Sequence, residues 1–227
     1  MRRYRPLLLL VPAVAAASLA LPASGSADVT GSVLLPCHSN SPLGSRDEPI
    51  EVGLAGGTPG GAFRLLATLP GGRAGGVGSV TSTFDADGEA TARIVRLGGL
   101  GRAVSAGRPV GLTVQEGAGA PVPVAETLVT NLTVDVAARP ASPGARRRVR
   151  VSGTPFADAR LSAFLVRASG GRVLRRVALG RANACGYVRR TVAVAPRGLP
   201  RGSYRVYVAA GTELRRTQAV YARLRVR

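Results

Sequence analysis

Residues 220–227 have the sequence Val-Tyr-Ala-Arg-Leu-Arg-Val-Arg, in which apolar side chains alternate with tyrosine or arginine. Successive side chains of a β-strand point to opposite faces, so this pattern predicts a strand with one face in a core and the other in water. The same alternation occurs at residues 50–54 and 110–114, while the 3.6-residue periodicity of an amphipathic helix is missing. The sequence therefore predicts an all-β protein.

Turn residues separate these short apolar runs. The 227 residues include 30 glycines and 16 prolines, a density typical of β-sandwiches, in which strands recur about every 8–12 residues. Asp87-Gly88 lies between the runs 80–85 and 90–94, and this position predicts a β-hairpin that joins two strands. The length fits two sandwiches of about 100 residues each.

The pattern changes near residue 138. Leu128–Val136 has the pattern of a closing strand, residues 138–145 are rich in Ala and Pro, and Val149–Ser152 has the pattern of a new first strand. We therefore predict a mildly acidic first domain over residues 28–137 and an Arg-rich second domain over 138–227, with 138–145 as the linker.

Residues 1–27 have the pattern of a secretory signal peptide. Three arginines among the first five residues precede an apolar stretch over residues 7–21, and small residues follow as far as Ala27. The stretch is too short and too rich in Ala and Pro for a transmembrane span, which needs about 20 apolar residues, and no later run approaches that length. We predict cleavage after Ala27 and a mature protein that is secreted or associated with the cell wall.

The two cysteines, Cys37 and Cys185, fall one in each predicted domain. In an oxidising compartment an even number of cysteines favours pairing, and this bridge would tie the two halves together. The chain-entropy model gives about 4–5 kcal/mol of stabilisation for so long a loop. A bridge between chains and two buried free thiols are the alternatives, since the sequence does not show that the sulfurs meet.

A short pattern recurs near the start of each half. Residues 52–59 and 149–155 each end a strand with a small residue and Gly, continue into Thr-Pro and lead to a second strand. Such a turn allows the strand to cross to the opposing sheet. The pattern resembles the bacterial immunoglobulin-like modules of secreted proteins from high-GC bacteria, and the similarity extends through residues 164–186 to the strand at 202–206. The resemblance implies two tandem immunoglobulin-like β-sandwiches that act as an extracellular spacer or adhesive module, with no catalytic residues to transfer.

All 31 basic residues are arginines, and they are distributed unevenly. Residues 138–227 hold 21 arginines and two acidic residues, whereas residues 28–137 hold seven arginines and ten acidic residues. Because arginine suits bidentate binding of phosphate and carboxylate, we predict that the second domain binds an anionic polymer of the cell envelope. The candidate residues are Arg146, Arg147, Arg148, Arg150, Arg223, Arg225 and Arg227.

The uneven charge also has alternative origins. A GC-rich genome encodes arginine wherever a solvated strand needs charge, and the absence of lysine favours this origin for the choice of residue. The opposite charges of the two halves could also hold domains or neighbouring chains together. Nucleic acid is not expected as a partner, because four Phe, five Tyr and no Trp leave few stacking platforms and export removes the usual target.

The chain offers little material for catalysis or for a metal site. His38 is the only histidine, and a zinc site needs about four donors. The acidic residues around Gly88 do not fit a calcium loop, because an EF-hand aligned there would place Thr83 and Ile94 at ligand positions. We predict no cofactor, no metal and no enzymatic activity. A small-ligand carrier with a pocket between the sheets or domains is the alternative, and a secreted enzyme that uses His38 or clustered carboxylates is a third.

Overall fold

The computed structural model describes residues 28–40, 48–70, 78–95, 97 and 105–227. The predicted signal peptide lies outside these residues. The described chain forms β-strands with two short 3₁₀ turns, Thr154–Phe156 and Arg216–Gln218. Within this part of the protein, no helix is long and apolar enough to cross a membrane. The prediction of an all-β protein is confirmed.

The first half of the described chain contains eight strands. They are β1 (Thr30–Val33), β2 (Cys37–Asn40), β3 (Ile50–Ala55), β4 (Ala62–Thr68), β5 (Gly78–Thr83), β6 (Ala90–Ile94), β7 (Arg108–Glu116) and β8 (Val122–Asn131). One sheet has the order β1-β3-β6 and the other β2-β8-β7-β4-β5. Strands β2 and β8 run parallel, and the other neighbours in these two sheets are antiparallel.

The second half contains seven strands. They are β9 (Thr133–Val136), β10 (Arg147–Ser152), β11 (Arg160–Arg167), β12 (Val173–Arg181), β13 (Val188–Val192), β14 (Gly202–Ala210) and β15 (Val220–Val226). One sheet has the order β13-β10-β9 and the other β12-β11-β14-β15, with every pair antiparallel.

Each half encloses its own core. In the first half, Val52 from one sheet and Leu65 and Leu112 from the other are fully buried in one apolar cluster. In the second half, Val149 and Leu165 are buried in a separate cluster. These side chains lie at alternate strand positions, so the two-residue period of the sequence is what fills each core. The described chain therefore contains two β-sandwiches with separate cores.

The two sandwiches share one order of strands. In the second, β9, β10 and β13 face β12-β11-β14-β15, and in the first, β1, β3 and β6 face β5-β4-β7-β8, with β2 added beside β8. In the second sandwich Tyr204, near the start of β14, donates its hydroxyl proton to the carbonyl of Pro200 at 2.7 Å. This contact is the tyrosine corner of immunoglobulin-like domains. The fold is two tandem immunoglobulin-like β-sandwiches.

The crossing turns predicted from the recurring pattern are present, because β3 and β4 lie in opposite sheets, as do β10 and β11. The hairpin expected around Asp87-Gly88 is wrong. Strand β5 pairs with β4 and β6 pairs with β3, so the turn carries the chain from one sheet to the other. Gly88 has a φ of 75°, and a Cβ there would lie 2.4 Å from the carbonyl oxygen of Gly57, so close packing of two loops requires glycine at this position.

The single closing strand expected over Leu128–Val136 is also wrong. Strand β8 ends at Asn131, and β9 pairs with β10 of the second sandwich. Leu132 already packs in the second core, whereas Val129 packs in the first. The segment expected to be the linker, residues 138–145, therefore joins the first two strands of the second sandwich, and Val149–Ser152 belongs to the second of them.

Candidate anion-binding site

Strand β15 places its arginines as the alternation predicts. Leu224 and Val226 are buried in the second core, whereas Arg223, Arg225 and the following Arg227 are exposed on the outer face of the sheet. The neighbouring strand β14 adds a further arginine, since Arg205 lies directly opposite Arg223. One sheet face thus carries a row of cations, as period-two side-chain placement requires.

These arginines line a groove at the end of the second sandwich. It has a volume of about 680 Å³ and runs between the end of β15, the start of β14 and the connection after β9. We call it the arginine groove, because five arginines line it: Arg139, Arg205, Arg223, Arg225 and Arg227. Val136, Tyr204 and Leu224 supply buried parts of the wall, and no described acidic residue lines it.

The charge of the arginine groove is not neutralised by the described part of the protein. None of its five guanidinium groups forms an ion pair with a described carboxylate, whereas Arg150 and Arg93 each have such a partner. Arg205 lies opposite Arg223 in the antiparallel pair β14–β15, and like charges in directly opposed positions destabilise a sheet. The Tyr207 hydroxyl, which accepts a hydrogen bond from Arg205 at 3.5 Å, raises the pKa of Arg205 above its usual value. The groove is therefore a concentrated and permanent positive site.

Tyrosines continue this row towards the other end of the sheet. Tyr207 and Tyr221 are cross-strand partners with ring centroids 5.2 Å apart. The guanidinium carbon of Arg205 lies 5.2 Å from the ring centroid of Tyr221, and that of Arg216 lies 5.7 Å from the ring of Tyr207. Such distances are those of cation–π contacts, which orient the arginine side chains.

The other four candidate arginines do not lie in the groove. Arg147 is only 1% exposed and donates from Nη1 to the carbonyl of Ala138 at 3.1 Å, while its Nε and Nη2 are buried without a partner. Its guanidinium is therefore not available to a polymer in solution, and burial lowers the pKa of Arg147.

Arg146, Arg148 and Arg150 lie at the opposing sheet. Arg150 donates from Nε and Nη2 to Asp135 Oδ2 at 2.9 and 2.6 Å, and Arg146 donates to the carbonyl of Thr191 at 2.7 Å. Arg148 is exposed on β10. The sequence missed Arg139 and Arg205, which stand alone in the chain, although the alternation of Ser203, Arg205 and Tyr207 was the available signal for Arg205.

A second polar cluster lies where the two sandwiches meet. Cys37 and Cys185 form a disulfide with Cα atoms 5.3 Å apart, which confirms the predicted intramolecular bridge. The hydroxyls of Ser39 and Thr154 are hydrogen-bonded at 2.7 Å, and Thr154 donates to the carboxylate of Glu48. Strand β2 thus directs Cys37 and Ser39 towards the second sandwich.

His38 points the opposite way. It is 1% exposed, its Nδ1 donates to the carbonyl of Pro49 at 3.0 Å, and its Nε2 is buried without a partner. Burial is the main cause of the lowered pKa of His38, against the opposing effects of the Pro49 carbonyl and the Glu48 charge. A ring buried in this way is out of reach of a substrate, so the arrangement does not provide the histidine site that a secreted enzyme would need.

In the acidic turn of the first sandwich, residues 85–89, one carboxylate is hydrogen-bonded to the backbone of the turn itself. Asp85 Oδ1 accepts hydrogen bonds from the backbone nitrogens of Asp87 and Glu89 at 3.0 and 2.8 Å. Among the described residues, no group of three or more His, Cys, Asp or Glu side chains could hold a metal ion.

A further groove, of about 670 Å³, lies between the turn at Pro155-Phe156 and the connection from β14 to β15. Its wall includes one carboxylate and one guanidinium, those of Glu213 and Arg215. If the protein were a small-ligand carrier, this groove near the junction of the two sandwiches would be its candidate binding site. Nothing in its geometry selects a ligand.

No protein-family model and no curated protein sequence matches the chain. Among solved structures, a two-domain fibronectin type-III segment of chicken tenascin is 10% identical, with a TM-score of 0.30 over 86% of this chain and 97% of that one. A tetra-tandem repeat from the extending region of a large adhesion protein is 17% identical, with a TM-score of 0.30 over 89% of this chain and 50% of that one. Red sea bream transglutaminase is 13% identical, with a TM-score of 0.30 over 88% of this chain and 31% of that one.

These likenesses are too distant to carry an argument about function. The immunoglobulin-like assignment rests on the strand order and the tyrosine corner. Such a fold is compatible with a non-catalytic structural or binding module.

Proposed function

We propose that this protein is a non-catalytic, exported binding module that attaches to an anionic polymer of the cell envelope through the arginine groove. The observation that carries the proposal is the convergence of five arginines on one groove that no described acidic side chain lines. An anion between Arg205 and Arg223 would relieve their mutual repulsion while gaining hydrogen bonds from planar guanidinium groups.

The proposal includes export and a division into two domains. Residues 1–27 would be removed as a signal peptide, and a disulfide between distant cysteines suits an oxidising compartment. We place the domain boundary near Leu132 rather than near residue 138, because β9 pairs with β10 and the packing changes from one core to the other at that point.

The binding experiment compares two triple variants with the same loss of charge. The first is Arg223→Ser, Arg225→Ser and Arg227→Ser, which removes three arginines of the groove. The second is Arg175→Ser, Arg181→Ser and Arg189→Ser, which removes three exposed arginines on β12 and β13. Retention on immobilised heparin and on an isolated cell-envelope fraction is measured as a function of NaCl concentration.

We expect the groove variant to lose at least about tenfold in affinity, with a salt slope shallower by up to about three units, and the matched variant to change much less. Retention must also fall steeply as salt rises, because the contact is electrostatic. Retention that does not change with ionic strength, or an equal loss of affinity in both variants, would contradict attachment through the groove.

A further inference from the structure

Tyr221 is an exposed aromatic ring at the border of the arginine groove. It is 46% exposed, whereas its cross-strand partner Tyr207 is 7% exposed and packs with Phe164 and Val166. Tyr221 contributes nothing to the second core, since its strand neighbours Val220 and Ala222 face that side. An exposed ring of this kind is available for contact with a ligand.

The ring and the guanidinium groups form one continuous row. Tyr221, Arg223 and Arg225 follow one another at alternate positions of β15, at spacings of roughly 7 Å in a strand of ordinary rise. Arg205, opposite Arg223, is held between the Tyr221 ring and the Tyr207 hydroxyl. Ser203, opposite Arg225, adds a hydroxyl beside the same row. The row thus offers an apolar ring, several cations and a hydroxyl to one extended ligand.

We infer that the polymer bound by the arginine groove is an acidic polysaccharide, with a sugar ring stacked on Tyr221 and its carboxylates bound by Arg205, Arg223 and Arg225. The inference rests on the proposed function and specifies its ligand. A pyranose presents a flat face of C–H groups that packs on an aromatic ring, while its acidic substituent projects from the edge of the sugar. A carboxylate matches the planar fork of a guanidinium group.

A flexible polyanion without sugar rings would use this surface only in part. Its charges can reach the arginines, but it has no rigid apolar face to cover the ring of Tyr221. The two kinds of ligand therefore differ in whether Tyr221 contributes to affinity, and this difference can be measured.

The test uses the full mature chain and two hexamers of equal charge, hexagalacturonate and hexaglutamate. Binding of each is measured by calorimetry in the same low-salt buffer for the natural sequence, Tyr221→Ala and Tyr221→Phe. Leu174→Ala, which removes another exposed apolar side chain from the same sheet, is the matched control.

We expect Tyr221→Ala to weaken hexagalacturonate binding about fivefold or more and to leave hexaglutamate binding within about twofold. Tyr221→Phe keeps the ring and should keep the affinity, as should Leu174→Ala. An equal loss for both hexamers would assign Tyr221 only to the positioning of Arg205 and overturn the inference, and no loss for either would overturn it as well. Failure of the natural sequence to bind either hexamer would instead contradict the proposed function itself.

Discussion

Arg147 is buried in the second sandwich, whereas Arg223 is exposed on its surface. Arg147 pairs with Val192 on the inner side of β10 and is buried, while its sequence neighbours Arg146 and Arg148 are exposed. Strand alternation fixes this difference, because Val149 and Val151 face the core and residue 147 shares their parity. The run of three arginines suggests one cationic surface. The valines two and four residues after Arg147 indicate that its side chain faces the core, unlike the other two arginines.

The buried ring of His38 makes stability depend on pH in a predictable direction. The pKa of His38 is lowered in the folded protein, mainly by burial, whereas the unfolded chain has the ordinary value of about 6.5. As pH falls below about 6.5 the unfolded chain takes up the proton first, so the free energy of unfolding decreases until pH has passed through the folded pKa. Because His38 is the only histidine, this loss belongs to one side chain.

The measurement is urea unfolding between pH 8 and pH 5 for the natural sequence and for His38→Gln, which does not titrate in this range. The variant should be less stable at pH 8, because the contact with Pro49 is altered, yet its stability should vary less with pH. Parallel pH dependences for the two proteins would contradict the assignment to His38.

At the scale of one element, β15 has a buried face that packs in the core and an exposed face that we propose binds anions, and single substitutions should separate the two roles. Leu224→Ala removes a side chain from the second core and should lower the free energy of unfolding by about 2–5 kcal/mol. Arg223→Ala removes an exposed side chain and should change it by no more than about 0.5 kcal/mol, while it weakens binding to heparin.

Thermal unfolding and heparin retention of both variants check this prediction. A large stability loss for Arg223→Ala would mean that the outer face supports the fold, contrary to the exposed position of that side chain.

The strands themselves could be predicted from the sequence, because alternation is a local property of each segment. Residues 220–227 and 50–54 became β15 and β3 on this basis. Pairing depends on segments far apart in the chain, and here the sequence was misleading: Asp87-Gly88 has the residues of a hairpin turn but connects two sheets. No Pro or Gly lies near Leu132, where β8 has ended and β9 begins, so the sequence does not indicate that the chain passes from one sandwich to the next at this point. For the same reason Arg139, which only the folded chain brings to β15, was not among the predicted site residues.

At the scale of the whole molecule, a small set of contacts fixes the two sandwiches relative to each other. Besides the disulfide and the Ser39–Thr154 contact, Asn183 donates from Nδ2 to the carbonyl of Ala106 at 3.2 Å. Gly107 lies against the bridge, since a Cβ there would approach the sulfur of Cys185 to 2.8 Å. Because the two cores are separate, these contacts set the orientation of the sandwiches rather than the stability of each core.

Replacement of both cysteines, Cys37→Ser with Cys185→Ser, should therefore broaden the distribution of shapes in solution while each sandwich stays folded. Loss of the cross-link should also lower overall stability by up to about 5 kcal/mol on the chain-entropy model. Small-angle X-ray scattering measures the distribution of shapes, and far-UV circular dichroism shows whether the sandwiches stay folded and how stable they are.

Thr154→Val, which removes the hydrogen bonds of Thr154 to Ser39 and Glu48 at the junction but leaves the bridge, is the control and should scatter like the natural protein. Scattering curves that coincide for all three proteins would contradict the prediction, because they would show that the orientation is kept without the bridge.

The position of the arginine groove also determines which way the molecule would stand on a surface. The connection from β14 to β15 lies beside Pro155 at the junction, and β15 runs away from it over seven residues, roughly 23 Å, to Arg225 and Val226. Attachment through the groove would therefore lie at the end of the second sandwich that is far from the junction, and the first sandwich would point away from the polymer. A polymer-bound molecule would therefore display the acidic turn at Asp85 and Asp87 to its surroundings, well clear of the polymer that holds it.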